Sequence, residues 1–307
     1  MCINDVAEVV KYLPPEKRTI DRQYCDLLRY IYEKGRVVHP IHGGEARMVT
    51  GAQMRFVMAN GFPVITERNL SGKLFYGALA EHIAFLHGAS TLEELRRWGV
   101  PDKWWGPWVT KEKCAHFGLS EGDLGSASYG KVWVKFPTRD GGEFNQITAV
   151  VNQIRRAPHL RTHHITNFYP PETIGPPGTR RVVVAPCHGD IYINMFPKEK
   201  EIVIQHVQRS ADLPVGAAFN FIQYAAFGMM LAKVLGYTFT ELVYHFIDVH
   251  IYDLQYPYVE ELLARKPFPF PTVTLDKDTN DIMAFRPEDF ILKDYSAHPK
   301  MFIPTPI

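Results

Sequence analysis

The chain is poor in cysteine, in net charge, in a basic leader and in uninterrupted hydrophobic length, and each shortage removes a class of explanation. Cysteine occurs four times in 307 residues, at positions 2, 25, 114 and 187, with no C-x-x-C pair. That spacing offers neither a disulfide framework nor the thiolate pairs of a structural zinc site. Lys and Arg number 34 against 33 Asp and Glu, a formal +1, so no chain-wide field draws the protein to nucleic acid or an anionic membrane. An anionic ligand must be held locally. The N-terminus MCINDVAEVV places an acid where a secretory leader is basic, which with the sparse cysteines predicts a reducing, cytoplasmic context. The longest apolar stretch, AAFNFIQYAAFGMMLAKVLG, is interrupted by Asn220, Gln223 and Lys233, so it predicts a core helix rather than a membrane span.

What is present suffices for one large core: 46% of residues are hydrophobic, and residues 1–307 are expected to form a single catalytic domain, with 1–42 as an N-terminal helical extension. IDRQYCDLLRYIYEK (20–34) carries Ile20, Leu27 and Ile31 at helical spacing, with Gly35 as a stop. A helix is expected over GKLFYGALAEHIAFLH (72–87), which sets Glu81 in an otherwise apolar element. TLEELRRW comes next, where Thr91 caps and Glu94 stands three residues on. NQITAVVNQIRRAP reads as helix up to Pro158, and then RTHHITNF, RRVVVAPC, DIYINMF and EIVIQHVQ read as strands rich in β-branched residues. Between the first two of these, the Pro/Gly stretch 170–179 predicts an exposed loop, a flap or a spacer. After the apolar helix come a strand, LVYHFIDVHIY, a helix, YVEELLAR, and a final short strand.

The chemistry begins at APCHGD, which puts Cys187 at the end of an apolar run beside Pro186 and His188. A free cysteine is most often a small buried hydrophobe, so the segment acquires meaning only from two later runs, QRSADLPVGAAFNFIQYA and DVHIYDL. Together the Pro-Cys-His, the Gln-Arg-Ser-x-Asp…Gly…Phe-Asn run and the Asp-x-His-Ile-Tyr strand resemble the thymidylate synthase family. GAQMRF, FPVITER, AEHIAFLHG, GDLGSASYGKVW and YSAHPKMF extend the likeness across residues 43–307. Three such runs in order are far more specific than one short motif.

The resemblance implies an α/β (α+β) fold, a large bent mixed sheet covered by helices, assembled as a homodimer through the sheet face. It implies that Cys187 attacks C6 of a pyrimidine nucleoside monophosphate, making C5 nucleophilic toward the one-carbon unit of 5,10-methylenetetrahydrofolate. Arg209 would lower the thiol pKa and, with Ser210, bind phosphate. Asn220 would read the base, His250 and Tyr252 the sugar hydroxyl. Glu81 would organise proton transfer, Tyr129 the removal of the C5 proton. Asp212, Trp105 and Trp108 would line the folate site, and Ile307 would close it as part of a C-terminal lid. An asparagine amide suits uracil, yet turned about its terminal torsion it would face cytosine.

Departures are as informative. Ile41 stands where the family carries a phosphate arginine, leaving Arg47 as a substitute, and of two arginines lent by a neighbouring subunit only Arg161 remains, with Thr162 after it. Ala84 replaces a tryptophan, and GDIYINM an aromatic-rich strand. Two products stay open, because the exocyclic methylene intermediate yields a methyl group with hydride and a hydroxymethyl group with water. The altered surroundings of an intact core favour a 5-hydroxymethylase of a dUMP-type nucleotide. The alternatives are a thymidylate synthase making dTMP and dihydrofolate, a dCMP or CMP hydroxymethylase, and a non-catalytic nucleotide-binding relative. A Cys-His hydrolase is disfavoured because neighbours on a strand point to opposite faces. No metal site is expected, since His163 with His164, and His39 with His42, lack companion cysteines or acids.

Overall fold

The computed structural model describes residues 8–41, 43–176 and 178–306. Its frame is a mixed sheet built around two long strands, Ala46–Val57 and Thr238–Tyr252, which run antiparallel. Glu201–Gln208 pairs parallel to the other edge of Thr238–Tyr252, and Asp190–Phe196 and then His164–Ile165 continue antiparallel. Arg36–Val38 adds an antiparallel edge strand on Ala46–Met48, and Ala211–Asp212 runs parallel to Val249–His250. The β-branched and aromatic residues of these segments fit a pleated surface, and their alternation sorts one set inward.

The inward face carries Met54, Phe56, Leu242, Tyr244 and Phe246, all buried. Helix Ala218–Leu235 lies across it, with the Phe221 ring 4.9 Å from Tyr244 and 5.1 Å from Phe56. Burial of each such side chain contributes about 1.5–3 kcal/mol. Leu213–Leu235 is long and apolar enough to cross a membrane, but 83% of an apolar 18-residue stretch within it is buried inside the protein, as expected of a core helix. Lys73–Leu86 packs against it, and both of these helices are apolar nearly all round because other elements surround them. Among the described residues little covers the opposite face of the sheet: Tyr192, Phe196, Ile247 and Val57 are 44%, 45%, 55% and 53% exposed.

Several helices fall where the sequence predicts them. Gln23–Lys34 ends at Gly35, Lys73–Leu86 carries Glu81, and Leu92–Arg97 opens with a capping box made by Thr91 and Glu94. Four expectations need correction. RRVVVAPC is not a strand: Arg181 O accepts from Ala127 N, Val183 N donates to Leu124 O, and Cys187 O accepts from Arg209 N, so the run's backbone groups are taken by loops. RTHHITNF pairs only at His164–Ile165. The Pro/Gly stretch includes a turn of helix, Pro170–Thr173, tied down by the Thr173 hydroxyl on Tyr169 O at 2.7 Å and by Ser126 on the Glu172 carboxylate. The N-terminal 1–42 segment is likewise more than a helical extension, since Arg36–Val38 joins the sheet.

Candidate active site

Cys187 lies in an irregular segment just before strand Asp190–Phe196. The turn between them needs Gly189, at φ +113°, where a Cβ would stand 2.7 Å from Asn167 Nδ2 and 2.9 Å from Trp133 Cζ2. Arg209 clasps this segment: its Nε donates to Pro186 O at 3.1 Å, its Nη2 to Ala185 O at 3.1 Å, and Nη2 stands 3.5 Å from Cys187 Sγ. From the other side, Cys187 N donates to the Tyr129 hydroxyl at 2.8 Å. Burial pushes the thiol pKa up, the Arg209 charge and the Tyr129 contact pull it down, and Asp248 adds to the rise. The net direction is upward, so Arg209 acts in the expected sense but desolvation exceeds it.

His188 does not serve the thiol. Its Nδ1 faces the Tyr224 hydroxyl at 2.5 Å, and burial lowers its pKa to about 3. His206 stacks on Tyr224 at 3.6 Å and accepts from Gly189 N at 2.9 Å, while His82 is buried with neither ring nitrogen hydrogen-bonded among the described residues. Cys187 thus backs onto a layer of neutral imidazoles.

Glu81 is reached by two donors, Trp105 Nε1 at 2.6 Å and Gln223 Nε2 at 2.6 Å. Burial nevertheless raises its pKa against both bonds. Asn220 Nδ2 donates to Gln223 Oε1 at 2.9 Å, and Gln208 Nε2 donates to Asn220 Oδ1 at 3.2 Å. Tyr129 stacks on Phe85 at 4.9 Å and meets the Trp105 edge at 6.0 Å, an apolar flank beside Glu81. Burial raises the Tyr129 pKa well above its ordinary value.

Asp248, His250 and Tyr252 share one face of their strand, as the period of two requires. Asp248 accepts from the Ser210 hydroxyl at 2.9 Å and faces His250 Nδ1 at 2.9 Å. Asp212 accepts from Val215 N and from Gln255 Nε2, and burial lifts its pKa. Gln255 Nε2 also donates to Pro304 O at 3.0 Å, which draws the C-terminal tail to Asp212. Ile307 itself lies outside the described residues, as does His42. Trp105 is buried and committed to Glu81, whereas Trp108 is partly buried with Lys113 Nζ 5.0 Å from its ring. Trp104 and Phe219 lie 4.8 Å apart, with the Arg68 guanidinium 5.5 Å from the Phe219 ring. Aromatic faces beside a buried carboxylate suit a flat heteroaromatic ring bearing N–H donors.

Two phosphate candidates fall elsewhere. Cross-strand pairs share a face, and Met48 opposes His250 while Arg47 opposes Ile251. Arg47 therefore points away from His250, with its guanidinium 5.0 Å from the Tyr32 ring, 4.9 Å from Tyr256, and donating to Tyr32 O. Arg161 is exposed on the uncovered sheet face, lining a cleft with Tyr192, Gln205, His245 and Ile247. His163 bonds Gln153 and His164 stacks on Tyr192, so neither faces the thiol cluster.

The residues that sequence reading missed are Gln208, Gln223 and Asp248. A signal existed for each: two glutamines in apolar elements, one of them three residues beyond Asn220, and an acid two residues before His250.

A thiol held between an arginine and a tyrosine, next to a buried carboxylate and a row of amides, makes one polar cluster at the end of the sheet. A family model described as thymidylate synthase matches residues 22–306, and the chain belongs to that family. The match begins ahead of residue 43, where the likeness in the sequence motifs starts. Membership supports folate-dependent one-carbon transfer to a pyrimidine nucleotide, the family normally using methylenetetrahydrofolate as cosubstrate.

Proposed function

We propose that this chain transfers a one-carbon unit to C5 of a uridylate-type nucleoside monophosphate through a covalent bond between Cys187 Sγ and C6. The observation that carries the reading is the convergence of Arg209 on Cys187 at 3.5 Å, with the Glu81, Gln223 and Asn220 row alongside. Loss of the thiol proton precedes attack, and the adjacent guanidinium stabilises the thiolate against the burial that disfavours it. Attack at C6 places negative charge on the C5–C4–O4 system, where the Asn220 amide is suited to meet it. Methylenetetrahydrofolate supplies the one-carbon group at the oxidation level of formaldehyde. Asp212, Trp105 and Trp108, with Trp104 and Phe219, are the residues suited to hold its rings. Tyr129, bonded to Cys187 N and kept a neutral phenol by burial, is suited to position a water that takes the C5 proton once the new carbon–carbon bond has formed; tetrahydrofolate then leaves to give the exocyclic methylene, and Cys187 departs from C6 at the end. Ser210, His250 and Tyr252 are assigned to sugar and phosphate.

The product we assign is 5-hydroxymethyluridylate. Glu81, with its pKa raised by burial, is suited to accept a proton from water adding to the exocyclic methylene, and the departures from family pattern surround an intact nucleophile core. A second reading, reduction to a methyl group with release of dihydrofolate, is favoured by the apolar packing of Phe85, Trp105 and Tyr129 beside Glu81, which excludes water on that flank. Incubation with dUMP, dCMP, UMP and CMP plus methylenetetrahydrofolate, with mass analysis of products, separates the two. A mass gain of one CH2O unit on dUMP is expected; a methylated product with rising dihydrofolate absorbance contradicts the hydroxymethyl assignment, and modification of none contradicts the whole reading.

The site is proposed to be completed in a homodimer across the uncovered sheet face. Exposed Tyr192, Phe196 and Ile247 supply apolar area there, and Arg161 at that face becomes available to a neighbour's phosphate site.

A further inference from the structure

We infer that Gln223 decides which pyrimidine the site accepts, by holding the Asn220 amide in one orientation. This deepens the uridylate reading and rests on it. For one pose of the ring, uracil offers an acceptor at O4 and a donor at N3, whereas cytosine offers an amino donor and an acceptor at N3. The two bases demand opposite settings of the same amide, so selectivity requires something that prevents the amide from turning over.

The row of polar groups around Asn220 supplies it. Gln223 Nε2 donates to Glu81 Oε2 at 2.6 Å and to Ala78 O at 3.2 Å, which leaves Gln223 Oε1 as an acceptor facing Asn220 Nδ2 at 2.9 Å. At the other side Gln208 Nε2 donates to Ser210 O at 3.1 Å and to Asn220 Oδ1 at 3.2 Å, while Gln208 Oε1 accepts from the Tyr244 hydroxyl. Both ends of the row are anchored on backbone carbonyls, Ala78 and Ser210, which accept and never donate. Protonation of Glu81 does not change that, because a turned Gln223 would set its Oε1 against the Ala78 carbonyl oxygen.

A turned Asn220 would set Nδ2 against Gln208 Nε2 and Oδ1 against Gln223 Oε1. Asn220, Gln208 and Gln223 are 6%, 2% and 0% exposed, so water does not relieve either clash. Two buried polar contacts of the wrong sense place the turned amide about a hundredfold or more in the minority. In the held orientation one N–H on the Glu81 side and one lone pair on the Gln208 side stay free. A uracil with its C4–C5 edge toward Glu81 meets the N–H at O4 and the carbonyl at N3–H. Cytosine in that pose meets donor with donor and acceptor with acceptor. Gln223 is thus a positioning residue that acts through Asn220.

The test is equilibrium binding of dUMP and dCMP to the full chain and to Gln223→Met, which keeps side-chain length and removes both poles. The ratio of the dCMP to the dUMP dissociation constant is expected to fall by about tenfold or more in the variant, with dUMP weakened and dCMP strengthened. A merely structural role would weaken both and leave the ratio unmoved. Gln208→Met frees the other end of the amide and is expected to move the ratio the same way; it carries the test if Gln223→Met loses its cooperative melt. An unchanged ratio in the folded variants overturns the inference. A wild-type chain that binds neither nucleotide, or prefers dCMP, overturns the uridylate reading instead.

Discussion

The two ends of the proposed nucleotide site are built to different standards. At the base end Trp105, Glu81, Gln223, Asn220, Gln208 and Tyr244 form an unbroken row of buried hydrogen bonds, and Cys187 is clasped by Arg209 and Tyr129. At the phosphate end Arg209 stands nearly alone: Ile41 replaces an arginine, Arg47 is stacked between Tyr32 and Tyr256, and Arg161 lies on the open sheet face. The difference teaches that the groups at the base end are held by packing within one chain, while under the proposed dimer anion binding would draw on a surface completed by a second copy.

Breaking the base end should have the largest effect. Cys187→Ala is expected to lower turnover by about 10⁴-fold or more while nucleotide binding persists, because the nucleophile has no substitute; steady-state rates beside binding isotherms check it. The phosphate end is sharpened by contrast between two arginines. Arg161→Ala should weaken nucleotide binding by roughly tenfold to a hundredfold through loss of charge-assisted bonds, whereas Arg47→Ala should leave affinity alone and cost about 1 kcal/mol of stability from its ring contacts. Mixing Cys187→Ala with Arg161→Ala chains should restore about a quarter of wild-type activity, one intact site in half of the dimers; no recovery would contradict the shared site.

Behind the thiol the expected effect falls on stability rather than on turnover or nucleotide binding. Burial lowers His82 and His188 to about 3 and His206 well below its ordinary value. Between that level and the unfolded value of about 6.5, the unfolded chain binds protons that the folded one does not, so stability falls as pH drops below about 6.5 and is unaffected by these groups above it. Each contributes about 1.4 kcal/mol per pH unit in that window. His82→Phe should reduce proton uptake on unfolding at pH 5 by about one, measured from the pH dependence of urea denaturation; an unchanged slope contradicts the neutral-imidazole layer.

Local pattern carried much of this structure. Periodicity placed the helix bearing Glu81, the Thr91–Glu94 box marked the next, and alternation put His250 and Tyr252 on one strand face. RRVVVAPC misled because its β-branched run is locally strand-like while its backbone partners, Leu124 and Ala127, are set by tertiary packing. The orientation of Arg47 depends on its pairing with Ile251 two hundred residues on, invisible to local reading. Likewise Gln223 reaches a carboxylate 142 positions away, so its polarity within an apolar helix was visible but its partner was not.

The proposed bond from Cys187 to C6 can be trapped with a uridylate carrying fluorine at C5. Fluorine cannot leave as the C5 proton does, so the ternary adduct with methylenetetrahydrofolate should persist on the protein. Peptide mass analysis is expected to find nucleotide and folate mass together on the peptide containing Cys187. Absence of that adduct in a folded chain that binds the nucleotide, or its appearance on Cys25 or Cys114, would rule out Cys187 as the nucleophile.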